Sequence, residues 1–500
     1  MPSTPHGPLS ADPSLSFPGR SGRVVAAVAG LGMFLGALDI SVNVALPSIA
    51  SGLDADLQSV QWVIVAFIAT RAGLVMGAGS FADRFGLRRV YIFGALCYLI
   101  SMVAISLSPN LESVVGFRVL QGFGTGSLFA VSPALAAQVF PKDRRGMAMG
   151  FATASQALGM LTGTLGAALL IQWQGWPAIF MGRVPFALLA LLLAVRFMPM
   201  DRFSQDAAPP RPGDSSGSFD VAGAVTLMGA LMCLVVGLRL GRSEGWTSPV
   251  VLTLLPLAPV LMLMFWRSER RAAWPVLPGE LLRNKDFIIS CASMALAHFG
   301  VFVVWFVFPF YISYGLGKGP GPLGAMLATM ALFYTGLSWL GGLLSDRLGA
   351  VPVGVTGLGV LAGGLLYISF SGQDSGLPRA SLGMALVGSG LGLFQSAAYA
   401  LMLGGVPSQR TGTASAAISL AQSGGTVLSV AILGGILALS QDYHLTGILS
   451  GGMPLPDAER QAFLLAFQDV FRLGAGVAAA GVGVFALAGI RKPSGSRVGG

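Results

Sequence analysis

The sequence predicts an all-α polytopic membrane protein, two six-helix bundles with two extra central transmembrane helices between them, and three observations carry that prediction. Hydrophobic residues make up 54% of the 500 and charged residues only 10%, with a mean hydropathy of +0.74, whereas soluble domains carry about 25% charged residues. Apolar stretches near twenty residues, the length a helix needs to cross the hydrocarbon core, recur fourteen times. Two blocks of residues in the first half also reappear in the second at a nearly constant displacement.

Residues 1–23 are rich in Pro, Ser and Gly and lack a short apolar core with a small-residue cleavage pattern, so a disordered cytoplasmic tail is expected rather than a signal peptide. An N-terminal bundle over 24–199 follows, with spans at about 24–46, 61–81, 90–108, 113–139, 147–171 and 178–198. Residues 200–218, with Pro209, Pro210, Pro212 and a Ser-Gly run, have the composition of a flexible cytoplasmic linker. The two extra spans occupy 219–266, at about 220–239 and 249–266, and 267–287 is a charged cytoplasmic connector. The C-terminal bundle over 288–490 has spans at about 288–313, 322–344, 350–370, 381–404, 414–439 and 465–490, and 491–500 is a cytoplasmic tail.

The formal charge of +9 does not point to nucleic acid, because the basic residues sit mainly in short loops between apolar runs. With the N-terminus inside, 21 Lys and Arg are counted with inner loops and 6 with outer ones, Arg196, Arg239 and Arg472 of the adjoining span ends included, while Arg71, Arg118 and Arg183 are counted within spans. The positive-inside rule then sets both termini in the cytoplasm. Cys97, Cys233 and Cys291 fall separately in apolar runs, with no disulfide or metal spacing. A membrane-embedded enzyme would need clustered acids, histidines or cysteines, and an ATP-driven pump a Gly-x4-Gly-Lys-Ser/Thr stretch; neither is present, so no metal and no cofactor are expected. No extended soluble domain offers a dock for a periplasmic adaptor.

The repeat is strict. Gly79-x3-Asp83-Arg84-x-Gly86 recurs as Gly342-x3-Asp346-Arg347-x-Gly349, displaced by 263 positions. Pro141, Arg144, Gly146, Ala148, Gln156 and Gly159 recur as Pro407, Arg410, Gly412, Ala414, Gln422 and Gly425, displaced by 266. Parallel repeats about a membrane-normal axis are how many secondary transporters are built.

Chemistry concentrates in the first half. Asp39 is the only acid more than five residues inside any predicted span, Asp220 and Asp469 falling near the ends of theirs, and an ionised carboxylate at that depth costs about 2.5 to 3.5 kcal/mol on insertion scales, so it faces a cavity or a partner. Gly32, Gly36, Asp39 and Asn43 make one stripe of the first span, and Arg118, Gln121 and Thr125 share one face of the fourth. With a rise near 1.5 Å per residue, Asp39, Arg71, Arg118 and Arg183 all fall roughly 9 to 15 Å from their helix ends, within one layer. Three arginines against one acid leave that layer two positive charges in excess, which disfavours lipophilic cations and favours an organic anion. The alternative is that Arg71 or Arg183 caps carbonyls or snorkels to an interface. In the second half, Met384 stands where the displacement would set a second Arg118. That half offers His298, Trp305, Tyr334, Gln395 and Tyr399 instead, either as walls of an aromatic cavity with Asn43, Arg71, Gln121 and Arg183 or, for the aromatics, as packing and interface anchors. His298 has the further alternative of a plain helix-to-helix hydrogen bond.

These residues resemble the major facilitator superfamily and, within it, the fourteen-helix drug:proton antiporters, a family of multidrug exporters. Gly79 to Val90 resembles its loop between helices two and three, Arg118 to Gly126 its fourth-helix motif, and Leu38 to Pro47 its first-helix motif. Phe219-Asp220 and Gly245-Trp246 resemble the fourteen-helix branch. The resemblance implies a proton-coupled transporter in the bacterial cytoplasmic (inner) membrane, moving small amphipathic organic compounds outward, as in antibiotic resistance. An organic-anion or metabolite exporter, or an importer or facilitator, is the alternative on the same fold. It also implies that Asp39 binds the proton and Arg118 regulates it, against a permanent ion pair that only orients two helices. Gly79, Asp83, Arg84, Gly86 and Arg88, with Gly342, Asp346, Arg347 and Gly349, would form the gating latch of the cytoplasmic side, against a role as topology anchor alone. The fifth span departs from the pattern. Gly150, Gly159 and Gly163 keep the glycine ladder, but Thr164 and Ala167-Ala168 replace the proline and closing glycines, so the expected kink loses its cause.

Overall fold

The computed structural model describes residues 20–55, 59–60, 62–141, 144–198, 220–243, 245–272, 275–318, 320–372, 376–407 and 410–489. The tail up to residue 19, the 200–218 linker and the 491–500 tail lie outside these residues.

Every described regular element is helical. The first half comprises α1 (Arg20–Ala37), α2 (Ser41–Gly52), α3 (Trp62–Phe85), α4 (Leu87–Ser106), α5 (Leu111–Val139), α6 (Arg145–Gln174), α7 (Pro177–Met181) and α8 (Val184–Phe197). The extra pair is α9 (Val221–Ser243) and α10 (Pro249–Glu269), followed by the short α11 (Gly279–Arg283). The second half comprises α12 (Lys285–Phe306), α13 (Phe308–Phe310), α14 (Pro320–Leu348), α15 (Ala350–Ser369), α16 (Gly376–Gly404), α17 (Thr411–Leu449) and α18 (Leu455–Ala486). Thirteen helical segments among the described residues are long and apolar enough to cross a membrane, and α1 with α2 supplies the fourteenth expected span in two pieces.

In the first half α1 packs against α5 and α6, α3 and α4 against α5, and α8 against α4. In the second, α14 and α15 pack on α16, and α12 on α17 and α18. The seam between halves is α6 against α14 and α16, and α17 against α3 and α5. The extra pair packs on itself and reaches the rest mainly through α9 on α3. Both of its spans are the least buried of the set, as expected of helices that a bilayer would cover.

Two predicted continuous spans are broken. The first passes through a 3-10 turn at Leu38–Ile40, which contains Asp39. The sixth breaks at Gly182 and Arg183 between α7 and α8. At the first break side chains converge on one carbonyl, with Ser41 Oγ donating to the Leu38 oxygen at 2.8 Å and Arg183 Nη2, from the second break, donating to the same oxygen at 3.1 Å. The predicted 288–313 span likewise ends in α13 and a π turn at Tyr311–Gly315, where Pro309 withholds a donor. The fifth span agrees with its sequence: α6 runs unbroken, and Thr164 in the proline position returns its hydroxyl to the Met160 carbonyl at 2.8 Å.

Candidate functional site

The deep charges converge on Asp39. Arg118 grips its carboxylate with both ends of the guanidinium, Nη1 to Oδ1 at 2.7 Å and Nη2 to Oδ2 at 2.9 Å. Arg183 Nη1 and Gln121 Nε2 also donate to Oδ1, at 3.0 and 2.8 Å. The remaining Arg118 contacts fix its direction: Nε donates to the Val63 carbonyl at 2.7 Å, Nη1 to Gln121 Oε1 at 2.6 Å, and the guanidinium lies 4.3 Å from the Phe67 ring centroid. Arg118 and Gln121 meet the same acid because three residues along a helix return to one face. Arg183 arrives from the break between α7 and α8, so a position the sequence leaves open between capping and charge pairing does both. Arg118 is buried at 1% exposure, whereas the Asp39 side chain keeps 10%. The cluster therefore carries one net positive charge on groups that are mostly desolvated, and its acid is the member with an opening.

Arg71 is the third arginine of this layer and is built differently. It lies mid-helix in α3, its guanidinium 5.4 Å from the ring centroids of both Phe67 and Phe129. Among the described residues it has no hydrogen-bond or ion-pair partner, and it is half-buried. Gly36 sets one face of this clamp, because a Cβ there would fall 1.8 Å from the Phe129 ring. His298 of α12, in the other half, is within electrostatic range of Arg71. Its Nδ1 donates to the Met294 carbonyl at 3.0 Å, and it too is half-buried. Arg71 is thus within electrostatic range of both Asp39 and His298.

The other second-half candidates lie elsewhere. Tyr334, Gln395 and Tyr399 are all but fully buried. Tyr334 donates its hydroxyl to Gln395 Oε1, and Gln395 Nε2 donates to Gln156 Oε1 of the first half at 3.0 Å. Tyr399 contacts Ser419 at 3.4 Å. Gln395 thus bonds across the seam, and all three side chains are packed inside the protein. Trp305 is partly buried against the core. Asn43 falls in α2, and its side chain lies outside the described residues.

The repeated blocks meet at one end of the molecule, block one of each half against block two of the other. Asp83, at the end of α3, accepts from the Gly412 and Thr413 backbone N–H groups at 2.7 Å each, at the start of α17. Asp346, at the end of α14, accepts from Gly146 and Met147 at 2.7 and 2.8 Å, at the start of α6. Each carboxylate occupies the positive end of a helix belonging to the opposite half. Glycines make this approach possible: a Cβ on Gly342 would lie 2.3 Å from the Gly146 carbonyl oxygen, and one on Gly79 2.5 Å from that of Gly412. Gly86 and Gly349 follow with φ of 99° and 89°, a region that favours glycine. Arg88 turns back within its own half and donates to the Ala194 and Val195 carbonyls at 3.4 and 2.8 Å, capping α8. Arg84 lies 5.4 Å from the Phe85 ring centroid, and Arg347 is on the last turn of α14. In the glycine ladder, Gly150 faces α14 of the other half, Gly159 faces the Phe34 backbone of α1, and Gly163 is buried within α6.

The partners Gly146, Met147, Gly412 and Thr413 have no site role in the sequence reading. Their signal was the second repeated block, conspicuous as a repeat and silent about what it touches. Further seam bonds run from Ser415 to the Ala130 carbonyl at 3.0 Å, from Ser419 to that of Phe129 at 3.4 Å, and from Arg145 to that of Leu403. Farther along the same helices, Gly166 of α6 and Gly435 of α17 have no neighbour within 4 Å of a Cβ position. The molecule is thus bonded shut at the motif end.

Residues 25–430 match the Major Facilitator Superfamily. The chain belongs to that superfamily. It is 30% identical to the multidrug resistance protein Stp of Mycobacterium tuberculosis (strain CDC 1551 / Oshkosh), over 85% of this chain and 78% of that protein. Identity and both coverages are the same for the tetracenomycin C resistance and export protein of Streptomyces glaucescens. Among solved structures, the human organic anion transporter MFSD10 (TETRAN) superposes with a TM-score of 0.63 over 93% of this chain and 99% of that one, at 15% identity, a likeness of fold. As a member of the superfamily the protein is a multi-pass membrane transporter, not an enzyme.

Proposed function

We propose that the protein is a proton-coupled exporter of amphipathic organic compounds, working in a bacterial cytoplasmic membrane with both termini inside. The observation that carries this reading is the Asp39 cluster: one partly accessible carboxylate holds together Arg118 of α5, Arg183 between α7 and α8, and the broken first span. A proton on Asp39 removes the charge that holds both guanidiniums, so proton binding and helix rearrangement are the same event. Relatives named for resistance and export support the outward direction. With the motif end on the cytoplasmic side, as the loop charges predict, the bonded-shut conformation is the outward-facing member of an alternating-access pair.

The test is transport by purified protein in proteoliposomes under an imposed pH gradient, with a panel of organic cations, anions and neutral compounds. Uptake into inside-out vesicles that responds to the gradient, and that is lost in Asp39→Asn, is the expected result. Gradient-independent movement, or full activity in Asp39→Asn, would overturn the proton-coupled reading.

A further inference from the structure

Arg71 is left over from the proton-coupling chemistry. Asp39 is the acid of this layer, and Arg118, Arg183 and Gln121 already fill its two oxygens with four donated hydrogen bonds. Arg71 feels the Asp39 charge without touching it. An arginine enclosed by protein is normally paired or bonded to carbonyls, because leaving five donors unmet in a desolvated site is costly. Here the two rings cover faces of the guanidinium, which orients the fork but satisfies none of its N–H groups.

The surroundings say what would satisfy it. Phe67 and Phe129 are themselves buried, and Phe67 also stacks on Arg118, so the clamp is rigid rather than adaptable. A planar guanidinium with free edges is matched by a planar anion that accepts two parallel hydrogen bonds. His298 of the other half, its ring anchored through Nδ1 to Met294, is within electrostatic range of Arg71 and has Nε2 left for a second contact. The N-terminal layer as a whole carries two more positive than negative charges, so a bound anion lowers its electrostatic self-repulsion, while a bound cation raises it.

We infer that Arg71, flanked by the Phe67 and Phe129 rings, is the docking point for the acidic group of the substrate, a carboxylate carried on a flat aromatic body. The inference rests on the exporter reading for its substrate and adds the charge class. It runs against a permanent lipophilic cation as cargo.

The experiment is equilibrium binding to the purified full-length protein of three compounds that share one aromatic body: 2-naphthoate, 2-naphthylmethylammonium and 2-methylnaphthalene. Naphthoate should bind about tenfold or more tightly than the ammonium compound. Arg71→Gln should erase that preference while leaving methylnaphthalene binding unchanged, which shows that the variant is folded, and Arg71→Lys should keep part of it. Equal binding of all three compounds, no binding of naphthoate, or an equal loss for all three in Arg71→Gln would overturn the assignment. Binding needs neither a gradient nor a direction. If proton-driven transport failed while the Arg71-dependent preference held, the exporter reading would fall and the anion site would stand.

Discussion

At the motif end the two halves treat each other alike, whereas at the middle of the membrane they do not. Asp83 reaches into the start of α17 and Asp346 into the start of α6 with nearly equal distances. Gly79 against Gly412 mirrors Gly342 against Gly146, and Gly159 against Phe34 mirrors Gly425 against Ala295. Midway across, the first half has four charged side chains, and the second has Met384 buried where Arg118 would repeat, plus the neutral chain of Tyr334 and Gln395. Duplication was kept where the halves bond to each other and lost where the deep charges lie. A symmetric latch needs only a carboxylate, a glycine and a helix start on each side. A charge site is costly in a membrane, and one copy suffices.

The largest expected break in this comparison is Asp39→Asn set against Gln395→Leu. Removing one partner of a buried ion pair costs about 3 to 5 kcal/mol, so Asp39→Asn should abolish gradient-driven transport and lower thermal stability, while Gln395→Leu, which removes neutral bonds worth about 1 kcal/mol each, retains most transport. Next come Gly342→Val and Gly79→Val. Each sets side-chain atoms within 2.3 to 2.5 Å of a backbone carbonyl across the seam, so both should stop closure at the motif end. Spin labels at Arg89 and Leu348, read by distance measurements, should show the closed population lost to a similar extent in either variant.

A finer difference separates the two carboxylates. Asp83 is partly buried, beside the connector that Ser80 joins through the Pro275 carbonyl, whereas Asp346 is exposed. Asp83→Asn should therefore cost the closed state about 1 to 2 kcal/mol and Asp346→Asn about half as much, because solvent screens the exposed helix-end interaction. The same spin-label pair measures both, and equal effects would mean that the connector contributes nothing. The smallest effect belongs to Arg88→Gln, which unbonds the end of α8 inside one half: about 0.5 to 1 kcal/mol of stability, read as a lower melting temperature, with no change in the label distances.

Several residues were legible from sequence because their reason is local. Gly86 and Gly349 stand where the chain turns with positive φ, and Arg118 with Gln121 shares a face by helical period alone. Thr164 in the ladder took away the expected cause of a kink, and α6 runs unbroken. Arg183 shows the limit. Its depth could be counted, but its partner could not, because the meeting with Asp39 depends on two helix breaks and on which helices lie side by side. Tyr334, Gln395 and Tyr399 show the same limit from the other side: polar and aromatic residues in a span read alike whether they line a space or close one.

The sequence by itself determined the membrane class, the duplicated halves and the single acidic position among three arginines, because hydropathy, repeats and charge counts are properties of the chain. Tertiary structure decided that the two repeated blocks are opposite sides of one latch, that two arginines rather than one bind Asp39, and that Arg71 is left for something else. Those are pairings across 79, 144 and 329 residues. They are fixed by packing, since which buried charge finds a partner depends on which helices the fold brings within hydrogen-bond reach.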